Sequence, residues 1–159
     1  MLAVRSYVPR DAEATIDIFL RAIREVASKD YTPDQVDAWA QVESHDGWAR
    51  RRVSRPTWIA TVNGNPAGFS DLEPSGHLDM MFVHPRYQGL GVASILLRTV
   101  EVAAHNQGLP RLTTEASLTA RPFFEARGFD VVAAQEVQKR GQMLRNFLME
   151  KRLPGSLPT

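Results

Sequence analysis

The chain has 159 residues, the size of one ordinary domain able to bury a single core. With 43% apolar and 23% charged residues it has the balance of a folded protein, and a net charge of +1 argues against the basic excess of nucleic-acid and membrane-surface binders. No cysteine is present, which excludes disulfides, thiolate metal sites and a cysteine nucleophile.

The opening MLAVRSYVPRDAE carries Arg5 and lacks a signal peptide's apolar stretch, and no apolar run approaches bilayer length. A cytoplasmic protein with no membrane and no nucleic-acid partner is therefore expected. LAVRSYVP (2–9) alternates its apolar residues and closes at Pro9, which predicts a first strand. In DAEATIDIFLRAIREVA (11–27), Ile16, Phe19, Leu20 and Ile23 fall at helical spacing behind Asp11 as N-cap. A polar break with Lys29, Asp30 and Tyr31 precedes TPDQVDAWAQ (32–41), a second helix with Thr32 as cap and Pro33 at its first position. ESHDGWARRRVSRP reads as the end of that helix plus a loop. TWIATVNGNPAGFSDLE (57–73) is a hairpin around Asn63-Gly64, a dipeptide that favours positive φ, and HLDMMFV (77–83) is the next strand.

Val92, Ile95, Leu96, Val100, Ala103 and Ala104 recur along one helical face, and Gly108 and Pro110 stop that helix. RLTTEAS (111–117) is strand-like, and ARPFFEARG (120–128) is a short helix ending at Gly128. FDVVAAQEV and MLRNFLMEKRL read as closing strands with QKRGQ as their turn. With no repeat and no linker, one domain spans residues 1–153, and 154–159 form a frayed tail. The order β-α-α-β-β-β-α-β-α-β-β predicts an α/β (α+β) fold: a single mixed, mostly antiparallel sheet of about seven strands flanked by four helices.

The most informative stretch is VHPRYQGLGVASILL, where a strand feeds a helix through a loop with two glycines. A helix start offers unpaired N–H groups and partial positive charge, which suit an anion. A P-loop would need Lys-Ser or Lys-Thr after its last glycine, and none follows Gly91. A dinucleotide fingerprint would need a third glycine where Ser94 stands, on the first strand-to-helix turn of the chain.

What the segment does resemble is the acyl-CoA-binding motif of the GNAT superfamily of N-acetyltransferases, Gln/Arg-x-x-Gly-x-Gly/Ala. Gln88, Gly91 and Ala93 meet it, with Gly89 as an extra glycine and MFVHP as the strand-then-proline lead-in. ARPFFEARGF is similar to the family's second motif, a helix followed by Gly128-Phe129, and the element order fits over residues 1–152. The resemblance implies acetyl-CoA as acyl donor. Amides of Gly89, Leu90, Gly91, Val92, Ala93 and Ser94 would converge on its pyrophosphate, with the Ser94 hydroxyl as a further donor. The pantetheine arm would lie between two splayed strands, against the backbone of Met81, Phe82 and Val83 on one side and Ala116 and Ser117 on the other. An amide near Phe82 or Val83 would stabilise the oxyanion.

Acetyl transfer to an amine also calls for a base. Period-two alternation puts His77, Asp79 and Met81 on one strand face and Leu78, Met80 and Phe82 on the other. In the family this strand often carries the base, which points to Asp79 or His77, with Glu73 and Glu115 as further candidates. The plainer alternatives are that Asp79 accepts backbone hydrogen bonds and that His77 sits at a solvated strand start. Family members commonly place a tyrosine before Gly-Phe to protonate the departing thiolate; here the matching residue is Phe124, which has no proton to give. A thiol with a pKa of roughly 8.5 is already a fair leaving group, so turnover does not require that acid. Water or another tyrosine would serve, Tyr31 being one choice and otherwise a surface aromatic. Phe123 and Phe124 are core or pantetheine-contacting residues, and Arg127, like Arg86 and Arg121, is either a phosphate partner or plain surface charge.

The acceptor, a small-molecule or peptide amine, would meet the N-terminal helices and the last hairpin. That region offers Trp39, Trp48, Glu43, His45, Asp46 and Arg50-Arg51-Arg52, although tryptophans at helical spacing are usually core and an arginine run is usually a solvated face. An acyl-CoA-binding sensor without turnover is the alternative to an enzyme. The expected state is monomer or homodimer.

Overall fold

Among residues 1–154, which the computed structural model describes, eight strands and five α-helices follow one another. They are β1 (Leu2–Ser6), α1 (Ala12–Glu25), α2 (Pro33–Trp39), α3 (His45–Val53), β2 (Thr57–Val62), β3 (Asn65–Asp71), β4 (His77–Leu78), β5 (Met81–Val83), α4 (Val92–Asn106), β6 (Arg111–Ser117), α5 (Arg121–Ala126), β7 (Asp130–Lys139) and β8 (Gln142–Arg152). The strands form two four-stranded sheets, in the orders β1-β2-β3-β5 and β4-β6-β8-β7. Pairing is antiparallel throughout except between β4 and β6, which run parallel.

Local chemistry accounts for most of these elements. Thr32 and Gln35 cap α2 reciprocally: the Thr32 hydroxyl accepts from the Gln35 amide at 3.2 Å, and the Gln35 side chain accepts from the Thr32 amide at 2.9 Å. The β2–β3 turn places Asn63 and Gly64 at φ 51° and 82°, and the β7–β8 turn places Arg140 and Gly141 at 44° and 84°. Both therefore have the two left-handed residues that match the twist of a tight hairpin.

Helices α1, α2 and α3 cover one face of the sheets through an aromatic cluster that includes Phe19, Trp48, Phe69 and the partly buried Phe82. Helices α4 and α5 cover the other, where Leu97, Val100 and Phe124 meet Leu112, Phe147 and Met149 of β6 and β8. No helix of the described residues is long and apolar enough to cross a membrane.

The structure corrects four expectations. The segment after α2 is a separate helix, α3, begun by Ser44, whose hydroxyl accepts from the Gly47 amide at 3.1 Å. Asp11 does precede α1, but its carboxylate binds Arg5 at 2.7 and 2.9 Å and the Val8 amide at 2.8 Å instead of capping the helix. Third, the single sheet is two sheets, because the expected strand 77–83 breaks at Asp79-Met80. Its first half pairs with β6 and its second half with β3.

The break also shifts the alternation. Leu78 belongs to the core on the α4 face, against which Met81 also packs, while Met80 and Phe82 pack on the α1 face. Leu78 and Met80 thus lie on opposite faces, contrary to strict alternation, as an irregularity between two strand halves requires. Of the expected tail, Pro154 lies in a turn and 155–159 fall outside the described residues.

Candidate active site

The broken strand builds the site. Asp71, at the end of β3, accepts hydrogen bonds on one carboxylate oxygen from the amides of both Asp79 (3.0 Å) and Met80 (2.8 Å). The Met80 carbonyl in turn accepts from the Asp71 amide (3.2 Å) and the Ser70 hydroxyl (2.7 Å). Met80 is therefore tied to β3, and the chain leaves β6 at that point.

Register decides which backbone groups face the resulting gap. His84 N–H donates to Ala67 O and Asp71 N–H to Met80 O, so Phe82, midway, turns its own backbone groups to its partner Phe69. Met81 and Val83 turn theirs away from β3, and the Val83 carbonyl takes the Gln88 side chain at 3.2 Å. On the other side, Thr113 N–H donates to Gly76 O, so Thr113, Glu115 and Ser117 direct backbone groups toward the β4–β5 side. Ala116 turns to β8 and is buried in the core. Of the expected edge residues, Met81, Val83 and Ser117 thus offer main-chain groups to the gap; Phe82 lines the adjoining cavity with its side chain instead.

The glycine loop stands at the end of this gap. Gly89 and Gly91 have φ of 76° and 85°, and Gly91 is the N-cap of α4 with no side-chain cap. A Cβ built on Gly89 meets nothing within 4 Å, and one on Gly91 meets only a Leu2 methyl at 3.8 Å, so the loop's outer side is open. Gln88 is exposed, Leu90 is 54% exposed, and Val92 is buried against the sheet. Ala93 and Ser94 are half-buried in the first turn of α4. The Ser94 hydroxyl accepts from the Arg127 guanidinium at 2.6 Å, and that guanidinium lies 3.8 Å over the Phe123 ring. α5 therefore delivers a cation to the start of α4. A groove continues from there along α4, lined by Ser94, Arg98, His105, Arg127 and Lys151.

Phe124 is only 4% exposed, its ring edge-on to Phe123 and Phe129 at 5.3 and 5.0 Å. Tyr31 is buried rather than a surface aromatic. Its hydroxyl donates to the Arg145 carbonyl (2.7 Å) and accepts from the Leu118 amide (2.9 Å), and burial raises its pKa. That hydroxyl braces β8 against the end of β6.

The candidate bases gather beside the break. Side-chain atoms of Glu73, His77 and Asp79 lie within 4.8 Å of one another. Arg55 Nη1 reaches three carboxylates at once: Glu73 at 3.2 Å, Asp79 at 3.6 Å and Asp71 at 3.7 Å. His77 bonds the Thr113 hydroxyl through Nδ1 at 2.9 Å and faces Glu115 through Nε2 at 3.8 Å. Glu115 also accepts from Gln135 at 3.0 Å. Asp71 is fully buried, and burial, the dominant influence, pushes its carboxyl up to about 6.

Asp79 and Glu115 line a cavity of about 490 Å³ between α2, α3 and the β7–β8 hairpin, which reaches Phe82 and Ser117 at the gap. Its walls include Phe19, Tyr31, Trp39 and Trp48, with Arg51 and Arg140 among the charged groups. Trp48 is largely core, its ring nitrogen donating to Thr15 at 2.9 Å, whereas Trp39 is half-exposed. Glu43 lines the cavity and holds Arg140 at 3.0 Å; His45 and Asp46 are exposed at the start of α3. The arginine run is not one solvated face: Arg51 lines the cavity, and Arg52 is fully buried, stacked 4.5 Å over Trp48.

Sequence reasoning missed Asp71 and Arg55. Asp71 closes an alternating strand, and its only signal was a carboxylate at a position that alternation makes internal.

Comparison with known proteins agrees with this geometry. The family model of the acetyltransferase (GNAT) domain matches residues 27–153. The chain is 39% identical over 149 residues to the uncharacterized N-acetyltransferase YafP of Escherichia coli, covering 93% of this chain and 94% of that one. It superposes with a TM-score of 0.92 and 37% identity on a GCN5-related N-acetyltransferase from Rhodopseudomonas palustris, covering 95% of each chain. A PaiA N-acetyltransferase from Thermoplasma acidophilum, solved in complex with coenzyme A, shares the fold at a TM-score of 0.78 and 16% identity, over 96% of this chain and 99% of that one. The open glycine loop, the split strand beside it and these likenesses have one explanation: the chain belongs to the GNAT family of acetyltransferases.

Proposed function

We propose that the protein moves an acetyl group from acetyl-CoA to a primary amine by direct attack in a ternary complex. The observation that carries this reading is the strand break. It turns main-chain groups of Met81, Val83 and Ser117 into the gap between an open glycine loop and a cavity holding carboxylates. Acetyl-CoA supplies a thioester carbon open to attack. The amides of Gly89 to Ser94 would hold its pyrophosphate at the start of α4, with Arg127 adding positive charge.

The Met81 and Val83 edge would pair with the pantetheine amides, and an amide there would donate to the carbonyl oxygen as it gains negative charge. Asp79, directly or through water, would take the proton as the amine nitrogen bonds to the acyl carbon. Glu115 and His77 stand next to it. The carbon–sulfur bond then breaks, and the thiolate takes a proton from water, since Phe124 has none. With no cysteine in the chain, direct attack needs no acyl-enzyme thioester. The aromatic walls beside Asp79 and Glu115 suit an amine with an apolar body, whether free or on a peptide.

The test is release of free thiol from acetyl-CoA with a panel of amines, together with calorimetric titration of CoA. Acetylated amine appearing in step with thiol supports the proposal. CoA binding with no product from any amine favours a sensor, and no binding at all overturns the donor assignment.

A further inference from the structure

We infer that Asp71 is a positioning residue for acyl transfer: by holding the amides of Asp79 and Met80 it keeps the strand split and so sets the donor cleft. The inference rests on the acyl-transfer reading above. A strand running from His77 to Val83 in regular alternation would continue its pairing with β6 and leave no gap. One carboxylate oxygen prevents this. It takes two consecutive amides, at 3.0 and 2.8 Å, that regular pairing would send to opposite neighbours.

The break has consequences on both sides. Asp79 and Met80, although adjacent, both line the acceptor cavity, which an unbroken strand would not allow. Beyond it, Met81 and Val83 present their backbone to the gap where the acyl carbonyl would lie. Asp71 therefore fixes the candidate base and the oxyanion donor relative to one another without touching substrate. Its second oxygen has no hydrogen-bond partner and faces Arg55 at 3.7 Å. Burial disfavours its charge, while the Met80 amide, Arg52 and Arg55 oppose that effect. A fully buried carboxylate with one oxygen unbonded is costly to keep for packing alone.

Two substitutions separate geometry from charge. Asp71→Asn removes the charge and keeps an acceptor oxygen in the same place. Asp71→Glu keeps the charge and pushes the oxygen away from the two amides by one methylene. A positioning role predicts that Asp71→Asn retains kcat within about threefold, whereas Asp71→Glu loses about 100-fold in kcat with little change in CoA affinity, since displacement by about 1 Å costs that much. Hydrogen exchange at the amides of Asp79 and Met80 gives a reading independent of turnover: slow in the wild type and Asp71→Asn, fast in Asp71→Glu.

Equal loss of kcat in both variants, or loss in Asp71→Asn alone, would overturn the inference in favour of a charge role. Wild-type kcat and slow exchange in Asp71→Glu would overturn it as well. If the wild type itself releases no thiol with any amine, the acyl-transfer reading fails, and the exchange pattern still decides whether Asp71 holds the break. Should Asp71→Glu not fold, Asp71→Ser replaces it, its hydroxyl too short to reach both amides.

Discussion

Gly68 in β3 lies where α4 crosses the sheet, and Gly68→Ala tests how the glycine loop is held. A Cβ there would stand 2.8 Å from Val92 Cγ1, 2.9 Å from the Phe82 carbonyl oxygen and 3.2 Å from Leu96 Cδ1. The carbonyl belongs to the β3–β5 pairing and cannot retreat without breaking it. Val92 is β-branched and held to one rotamer in a helix, so it cannot swing aside. The helix must lift instead. Overpacking of this kind costs about 1–3 kcal/mol, which for a chain of this length lowers Tm by roughly 3–10 °C. Because Val92 follows Gly91 directly, lifting α4 also moves the loop, and each 1 kcal/mol lost there weakens CoA binding about fivefold. Thermal melting and calorimetric titration of CoA measure both. Val92→Ala, which removes the clashing methyl, should restore part of the loss in the Gly68→Ala background, a coupling read by a double-mutant cycle. Wild-type Tm and affinity in Gly68→Ala would refute the seating of α4 on β3.

Phe124→Tyr is expected to leave CoA affinity unchanged and to raise turnover, since it restores a proton donor at the position of the family's tyrosine. Unchanged turnover at unchanged CoA affinity would show that the Phe124 ring does not reach the departing thiol. Stability should also depend on pH in two opposite ways, both measurable by melting between pH 2 and 7. The Asp11 carboxyl is held below its usual value, chiefly by its hydrogen bond to Arg5, so that pair's stabilisation is present above about pH 4 and is lost as pH falls through the lowered folded value. Asp71 is raised to about 6, so between roughly pH 4 and 6 the folded state keeps a proton that the unfolded chain has released. Stability from this group therefore falls as pH rises through that window, by about 3 kcal/mol in all, and Asp71→Asn should remove the decline. An unchanged pH profile in that variant would contradict it.

Where short-range chemistry decides structure, the sequence could be read directly. Asn63-Gly64 forms the expected turn, Thr32 and Pro33 begin α2, and RLTTEAS is β6 to the residue. The glycine loop was legible because it needs positive φ at Gly89 and Gly91 and a helix directly after them. The failures share one cause, a side-chain contact that the local hydrophobic pattern does not reveal. HLDMMFV alternates well enough to read as one strand; what breaks it is a carboxylate eight residues upstream, on a different strand. α3 was missed because DGWARRRV has too few apolar residues for a helical stripe, and its buried side is made by Trp48 and Arg52, one of them charged. Arg52 could not be recognised as buried without knowing that Trp48 lies beneath it. Arg55 is ordinary in sequence and becomes part of the site only because β2 starts beside the end of β3.

Arg55 also bears on how an amine could enter. It shares one nitrogen among Glu73, Asp79 and Asp71 at 3.2, 3.6 and 3.7 Å, so its contacts to Asp79 and Asp71 lie beyond hydrogen-bond length. Asp71 is fully buried and committed to the strand break. Glu73 makes the shortest contact with Arg55. Asp79 is left with the weaker tie and the greater exposure, 37% of its side chain against 31% for Glu73, and it faces the cavity. An ammonium group in that cavity would therefore find Asp79 and Glu115 available, while Arg55 remained paired with the two carboxylates outside the cavity lining. On the proposed acyl-transfer reading, Arg55 would sort the acidic cluster: Asp71 and Glu73 balance its charge, and Asp79 would receive the incoming amine and its proton.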